Sequence, residues 1–213
     1  PDSRELHLTP WTICLDDLRE KKSKFSDLIM DITLLIKDAA KGNAAAQKCL
    51  FDRLADPMMA ICCRYVKGRE DAEEILLDGF FKFFKNLPGF TYQGEAALYG
   101  WIKMIMIREC LMFLRKKNVF TMLAEVEAED MPSESGILSE LSAAEIFHLI
   151  VQLPVGYRTV FNLHVIEGME HKDIARELGI AEGTSKSQLS KARILLQKML
   201  LQKGISYGQR KTQ

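Results

Sequence analysis

Apolar side chains recur every three or four residues along most of the chain, and no stretch alternates cleanly between apolar and polar positions. That spacing indicates helices, because it gathers apolar side chains on one helical face. Glycine and proline are sparse inside the long periodic stretches. The sequence therefore predicts an all-α protein. Its first helices are expected at 26–42, at 44–66 with an interruption near Pro57, at 69–87, and at 101–117 after a loop at 89–100.

The periodicity breaks between 119 and 138, where five acids, no base and a cluster of proline, serine and glycine indicate a linker. The helical pattern returns at 139, and Ser142 with Glu145 matches a capping box. These changes predict two small helical domains joined by a flexible acidic linker. The expected order is an N-terminal extension at 1–28, a first domain at 29–118, the linker at 119–138, a second domain at 139–203 and a tail at 204–213.

The second domain contains the stretch IARELGIAEGTSKSQLSKARILL, in which Gly179 separates two helical patterns. The following helix has no acid between Gly183 and Lys203. This is the layout of a DNA-binding helix-turn-helix, in which the second helix reads base edges. An ordinary helical hairpin with a solvated basic face is the alternative. The polar and basic residues expected to meet DNA are Thr184, Lys186, Ser187, Gln188, Lys191 and Arg193.

The first domain combines dense aromatics with a basic helix. Phe80 and Phe84, four residues apart, are expected to face the core. Aromatic and basic side chains together suit single-stranded nucleic acid, which needs stacking faces and phosphate neutralisation. Alternatively, Trp101 belongs to the core and the terminal bases stabilise the helix C-terminus. The aromatic and basic residues concerned are Phe80, Phe81, Phe83, Phe84, Phe90, Tyr92, Trp101, Lys103, Arg108, Arg115, Lys116 and Lys117.

Composition narrows the function classes. The 213 residues include 29 basic and 29 acidic ones, whereas a free-standing DNA binder usually has a basic excess. The five cysteines form no CxxC motif, which favours free thiols in a reducing compartment. With no apolar run long enough to span a bilayer and no visible signal peptide, we expect a cytoplasmic protein without membrane insertion. The four histidines are scattered, so we expect no enzyme, metal, cofactor or small-molecule substrate.

Three segments together carry a family resemblance: GREDAEEILLDGFFKFFKNL, YQGEAALYGWIKMIMIRECLMFLRKKN and LPVGYRTVFNLHVIEGMEHKDIARELGIAEGTSKSQLSKARILLQ. In this order, and joined by an acidic linker, they resemble the extracytoplasmic-function (ECF) class of sigma-70 family RNA polymerase sigma factors. The resemblance covers about 29–118 and 139–203. It implies a region 2 helical bundle and a region 4 helix-turn-helix. The implied partners are bacterial core RNA polymerase, promoter DNA and an anti-sigma factor.

The resemblance also implies residue roles. The first segment would dock the β′ clamp helices of the polymerase through Asp71, Glu74, Asp78 and Phe80. The second would melt and read the −10 element through Tyr92, Trp101, Lys103, Arg108, Arg115 and Lys116. The third would read the −35 element through Thr184, Lys186, Ser187, Gln188, Lys191 and Arg193.

Five positions depart from the family's usual residues. Leu77 replaces Gln, Arg108 replaces Asn, Ser185 replaces Val, Gln188 replaces Arg and Ala181 replaces an N-capping Ser. These changes alter promoter preference more readily than function class.

Two other interpretations of the function fit the sequence. A stand-alone helix-turn-helix regulator would need a ligand pocket or dimerisation helix in its first half, and the sequence indicates neither. The second alternative is a helical adaptor that binds only protein. A DNA-binding assay with core polymerase would separate it from a DNA-binding protein. The charge balance itself suggests a hypothesis: the linker and docking-helix acids offset two basic readers, so the free chain binds DNA weakly.

Overall fold

The computed structural model describes residues 32–117 and 143–202, and every regular element within those ranges is helical. The predicted all-α fold is confirmed. The N-terminal extension, the linker, the tail and the capping residue Ser142 lie outside the described residues. The eight α-helices within the described residues are α1 (Ile32–Ala40), α2 (Ala44–Tyr65), α3 (Arg69–Asn86), α4 (Glu95–Lys116), α5 (Ala143–Gln152), α6 (Val155–Phe161), α7 (His171–Leu178) and α8 (Glu182–Gln202).

Helices α1 to α4 form one bundle, in which α2, α3 and α4 pack against each other in all three pairs. The Asn43 side chain caps α2 by accepting a hydrogen bond from the Ala46 N–H at 3.1 Å. The predicted interruption at Pro57 is wrong, because α2 runs through it without a break. Leu54, Met58 and Ile61 bury the helix on both sides of the proline, which offsets the lost backbone hydrogen bond.

Helix α4 begins earlier than its hydrophobic pattern indicates. Residues 95–100, predicted as loop, form its first turns, and the break falls at Gly94 with φ of 104°. That left-handed φ favours glycine, whereas Gly100 lies within the helix.

The α3–α4 crossing is close because of a glycine. A Cβ at Gly79 would overlap Sδ of Met106, a fully buried residue of α4. The crossing also buries Glu109, whose carboxylate accepts a hydrogen bond from Lys82 Nζ at 2.6 Å. Glu109 is the one acid in the sequence between Trp101 and Lys117, and its partner is a lysine on α3. It does not reduce the positive charge of the exposed face.

Helices α5 to α8 form a second group, in which α6 and α7 both pack on α8. Gly179 ends α7 with φ of 68° and ψ of 34°, the left-handed geometry expected of a helix C-terminus. The turn leads directly into α8, so the predicted helix-turn-helix is confirmed. A π-helical turn at Asn162–Ile166 joins α6 to the loop before α7.

The two helical groups pack against each other. Helices α5 and α6 contact α2, and the buried apolar residues of both groups form one continuous cluster. Leu50 and Met58 belong to the first group, and Leu153 and Leu163 to the second. This packing places the loop before α7, and α7 itself, beside the basic helix α4.

Candidate nucleic-acid and polymerase interfaces

The outer face of α3 carries acids beside exposed apolar side chains. Glu74 and Asp78 are exposed, while the Asp71 carboxylate lies 3.1 Å from Lys117 Nζ at the end of α4. Between the acids, the side chains of Leu77 and Phe81 are 60% and 68% exposed. These two residues are one helical turn apart, so they form a single apolar patch. Large apolar side chains that are exposed to solvent and lie beside acids indicate a protein contact.

Phe80 does not belong to that surface. It is 2% exposed, and its ring centroid lies 4.6 Å from that of Phe51 on α2. The expectation from periodicity, that Phe80 faces the core, is confirmed, and the surface role implied by the resemblance is wrong. The burial of Ala72, Leu76 and Phe83 in the same helix shows why, because all of them share the helical face of Phe80.

Trp101 lies in an aromatic cluster at the start of the basic segment. Its ring stacks on Phe90 with centroids 4.4 Å apart and planes 6° apart, and it contacts Phe83 at 5.1 Å. Trp101 and Tyr92 are each half-buried. One face of the indole is therefore packed, as the core alternative expects, and the residue is not sealed from solvent. The packing fixes the orientation of whatever indole surface remains accessible.

The cations of α4 have different surroundings. Lys103 Nζ lies 2.7 Å from a Glu167 carboxylate oxygen, and the nearest Arg115 nitrogen lies 3.4 Å from Glu177. Arg108 is exposed and lines a cleft of about 210 Å³ shared with α7. Lys116 is exposed near the C-terminal end of the helix. Two of the predicted −10 contacts are thus paired with acids of the second helical group.

Helix α8 presents most of its predicted DNA contacts outwards. Lys186 and Arg193 are exposed, whereas Thr184, Ser187 and Lys191 are half-exposed. Lys186 Nζ lies 2.7 Å from Glu182, whose pKa is lowered by the hydrogen bond from that lysine. The Ser187 hydroxyl donates to the Thr184 carbonyl at 3.0 Å. Short polar side chains near the helix N-terminus, with cations alongside, suit a major groove.

Gln188 is the exception on α8. It is 1% exposed, and its Oε1 accepts no hydrogen bond from any residue that the structure describes. The buried face of the helix consists of Ser185, Gln188, Leu189 and Ala192, at a spacing of three and four residues. The expectation that Gln188 lies on the outer face with Lys191 is wrong, because it shares the stripe of Leu189. The residue spacing itself carried that signal.

A series of polar side-chain contacts, which the sequence did not reveal, fixes α7 to α8. His171 Nδ1 hydrogen-bonds with Ser185 Oγ at 2.9 Å, and the His171 ring stacks on His164 with centroids 4.2 Å apart. His164 Nδ1–H donates in turn to the Met169 carbonyl at 2.8 Å. Burial, His164 and Lys186 lower the pKa of His171. Ser185 is fully buried on the core stripe, so its hydroxyl needs the hydrogen bond with His171.

Known families match both helical groups. A model described as sigma-70 region 2 matches residues 50–119, and one described as sigma-70 region 4 matches residues 143–196. The chain belongs to the sigma-70 family. The first match contains α3 and α4, and the second contains the helix-turn-helix. The chain is accordingly an RNA polymerase sigma factor, which directs promoter-specific transcription initiation.

Relatives of this sigma factor include ECF sigma factors. It is 26% identical over 178 residues to the ECF RNA polymerase sigma-E factor of Haemophilus influenzae, a match covering 76% of this chain and 92% of the relative. It is 26% identical over 184 residues to the ECF RNA polymerase sigma factor SigW of Bacillus subtilis, covering 80% and 97%.

A similar solved structure is the sigma factor RpoE in complex with the anti-sigma factor NepR from Bartonella quintana. It is 22% identical, covers 72% of this chain and 96% of the solved chain, and has a TM-score of 0.43.

The described residues contain neither a membrane-spanning helix nor a cluster of metal ligands. Among the helices at 32–117 and 143–202, none has the length and hydropathy needed to cross a lipid bilayer. Within the same residues, no three His, Cys, Asp or Glu side chains come together as metal ligands.

Proposed function

We propose a division of work among three surfaces of this sigma factor. The outer face of α3 docks core RNA polymerase, α4 and the loop before it melt and read the −10 element, and α8 reads the −35 element. The observation that carries the proposal is the order of the two family matches, region 2 over α3 and α4 and region 4 over the helix-turn-helix. The domain limits at 29–118 and 139–203 are part of the same proposal.

The docking surface is proposed to contain Glu74, Asp78, Leu77 and Phe81, with Asp71 at its edge. Leu77 and Phe81 supply the apolar area that an interface core needs, and the acids frame it. The β′ clamp helices are the expected partner. Because Leu77 is apolar, we expect this contact to be hydrophobic. The Gln that the family usually has at this position would make a polar contact instead.

The −10 surface is proposed to contain Tyr92, Trp101, Lys103, Arg108, Arg115 and Lys116. The packed indole of Trp101 provides a rigid aromatic wall beside the loop, and the cations lie along one helix. A melted strand needs both features, because its bases stack on aromatic faces and its phosphates need neutralising. Arg108 replaces the usual Asn, so the preferred base opposite it is expected to differ.

The −35 surface is proposed to contain Thr184, Lys186, Ser187, Lys191 and Arg193. Gln188 is left out because its side chain is buried beneath these residues. We expect Lys191 and Arg193 to contact guanine or phosphate, and the N-terminal hydroxyls to contact base edges or phosphate.

The proposal extends to the cellular setting of the sigma factor. Its work requires polymerase and chromosomal DNA, so we place it in the cytoplasm, without an enzymatic activity of its own. Membership of the family further suggests control by an anti-sigma factor.

The experiment is in vitro transcription with bacterial core RNA polymerase on templates with random upstream sequence, with and without this chain. We expect initiation that depends on the chain, from templates sharing two short elements at a fixed spacing. Matched variants then assign the readers: Arg108→Asn is expected to shift −10 preference, and Lys191→Gln −35 preference. DNA binding without core, combined with no initiation on any template, would favour the stand-alone regulator instead.

A further inference from the structure

The two helical groups are joined by a buried carboxylate. Glu167, in the loop before α7, has a side chain only 3% exposed. One of its oxygens lies 3.0 Å from an Arg64 guanidinium nitrogen on α2, and the other lies 2.7 Å from Lys103 Nζ on α4. A carboxylate removed from water needs such partners, because an unpaired buried charge is strongly unfavourable. Glu167 therefore joins region 4 to two separate helices of region 2.

Hydrogen bonds surround this ion pair and fix its geometry. The buried Arg158 guanidinium donates to the Tyr65 carbonyl at 2.8 Å, and Asn162 Nδ2 donates to the Arg64 carbonyl at 2.9 Å. Both acceptors are at the C-terminal end of α2, where helix carbonyls lack partners of their own. Burial lowers the pKa of Arg158 to about 10, which leaves the guanidinium charged at neutral pH.

The contact covers the surface that we assign to the −10 strand. Lys103 is paired with Glu167, and Arg115 lies 3.4 Å from Glu177 of α7. Between them, Arg108 lines the cleft opposite Asp173 and Glu177, in the narrow space between α4 and α7. The acids of region 4 therefore meet the cations that would contact phosphates.

We propose that Glu167, Arg64 and Lys103 form a latch that holds the free chain closed and keeps single-stranded DNA off α4, with the carboxylate taking the place of a phosphate. The latch deepens the proposed function, because it rests on the −10 role of α4. It also gives a structural cause for weak DNA binding by the free chain. When polymerase docking and DNA binding open the latch, Lys103 and Arg115 are exposed together.

The energetics suit a contact that must open. A buried ion pair gains attraction but loses the hydration of both charges, so its net stabilisation is small while its geometry is specific. Lys103 and Arg64 keep part of their surface in solvent, which lowers the barrier to rehydration. Partners that bind only the open chain shift the equilibrium by their own binding free energy.

Two variants break the latch from opposite sides. Glu167→Gln keeps the side-chain shape and removes the negative charge. Arg64→Gln removes a latch cation that is not a proposed DNA contact. Glu170→Gln is the matched control, because Glu170 is exposed in the same loop and its side chain makes no helix-capping hydrogen bond. Circular dichroism of each full-length variant checks that the helices are retained.

The readouts are the radius of gyration from small-angle X-ray scattering and the affinity for a fluorescein-labelled single strand of mixed sequence. We expect Glu167→Gln and Arg64→Gln to increase both, with affinity rising roughly fivefold or more, the lower end of common coupling between sites. Arg64→Gln is the decisive variant. Loss of a positive charge alone would weaken DNA binding, so a gain in affinity must come from opening.

Unchanged size and affinity in both variants would overturn the latch, and an enlarged chain without tighter DNA binding would overturn its shielding role. Transcription by wild type with core polymerase is measured in parallel and tests the proposed function separately. If wild type initiates while the variants stay closed, the latch is wrong and the proposed function stands. If wild type does not initiate on any template, the proposed function fails whatever the variants do.

Discussion

Two buried polar side chains on α8 differ in how their hydrogen bonds are met. Ser185 has His171 as a partner, whereas Gln188 keeps Oε1 without a partner among the described residues. Leaving a buried acceptor without a hydrogen bond costs about 1–3 kcal/mol. The spacing of Ser185 and Leu189 along the sequence puts both on one helical stripe. The spacing does not identify His171 as the partner of Ser185, because that contact depends on the angle at which α7 and α8 cross.

The burial of Gln188 predicts that its amide is dispensable. Gln188→Met keeps a similar volume and removes the unmet acceptor, so we expect the free energy of unfolding in urea to rise by about 1 kcal/mol. We expect the −35 preference in transcription to stay unchanged. Gln197→Met, at a half-exposed position of the same helix, is the control and should gain less. A changed −35 consensus in Gln188→Met would restore that side chain to the DNA surface.

The His171 cluster predicts a pH dependence. Burial, the stacked His164 and the cations Lys186 and Arg193 lower the pKa of His171, while Glu182 opposes them. The unfolded chain then binds the proton more readily than the folded one, so His171 causes stability to fall as pH drops through the ordinary histidine range near about 6.5. Above that range the contribution vanishes.

The test compares urea unfolding of wild type and His171→Asn at pH 7.5 and pH 5.5. Asparagine keeps a polar atom near the Nδ1 position and does not titrate, so we expect the variant to lose less stability on acidification than wild type. Equal losses in the two proteins would show that His171 does not contribute to the pH dependence.

At the scale of helices, periodicity predicted which segments are helical and which glycine ends α7. It failed where the deciding contact is distant in sequence. Pro57 was expected to break α2, and neighbouring apolar burial holds the helix together instead. The start of α4 was hidden because residues 95–100 carry a weak apolar pattern, and Gly94 rather than Gly100 takes the left-handed conformation. The assignment of residues to docking and DNA stays a prediction, apart from the corrections at Phe80 and Gln188.

The exposed face of α3 carries a prediction about docking. The double variant Leu77→Ala with Phe81→Ala is expected to weaken binding to core polymerase by tenfold or more, roughly the loss of 1.4 kcal/mol or greater typical of interface anchors. Stability should barely change, because both side chains are mostly in solvent. Fluorescence anisotropy with labelled sigma factor measures the affinity.

The control for this variant is Leu34→Ala on α1, which removes a side chain 53% exposed and outside the proposed surface. Its affinity for core should match wild type. If the double variant binds core as tightly as wild type, the apolar patch has another role and the acids alone would carry the contact.

Across the whole molecule, equal numbers of acids and bases conceal an uneven distribution. Acids lie on the outer face of α3, in the linker sequence and at Glu167, while bases concentrate on α4 and α8. The sequence suggested that the acids offset two readers but gave no geometry for it. The proposed latch identifies one offset as a direct contact, since Glu167 of region 4 pairs with Lys103 of region 2. Neutrality of the chain and weak binding to free DNA would then have a common physical origin.

If the latch acts only on the free chain, it should not affect promoter choice once polymerase has opened it. We therefore expect Glu167→Gln, at saturating sigma factor and core, to select the same −10 and −35 sequences as wild type in transcription from the random library. When core polymerase is limiting, the variant should also reach half-maximal transcription at a lower sigma-factor concentration than wild type. Less of its binding free energy is needed to open the latch. A new consensus at the −10 element would instead mean that residue 167 faces DNA in the open complex. That outcome would assign Glu167 a part in recognition, and the charge pair seen in the closed chain would be only one of its two contacts.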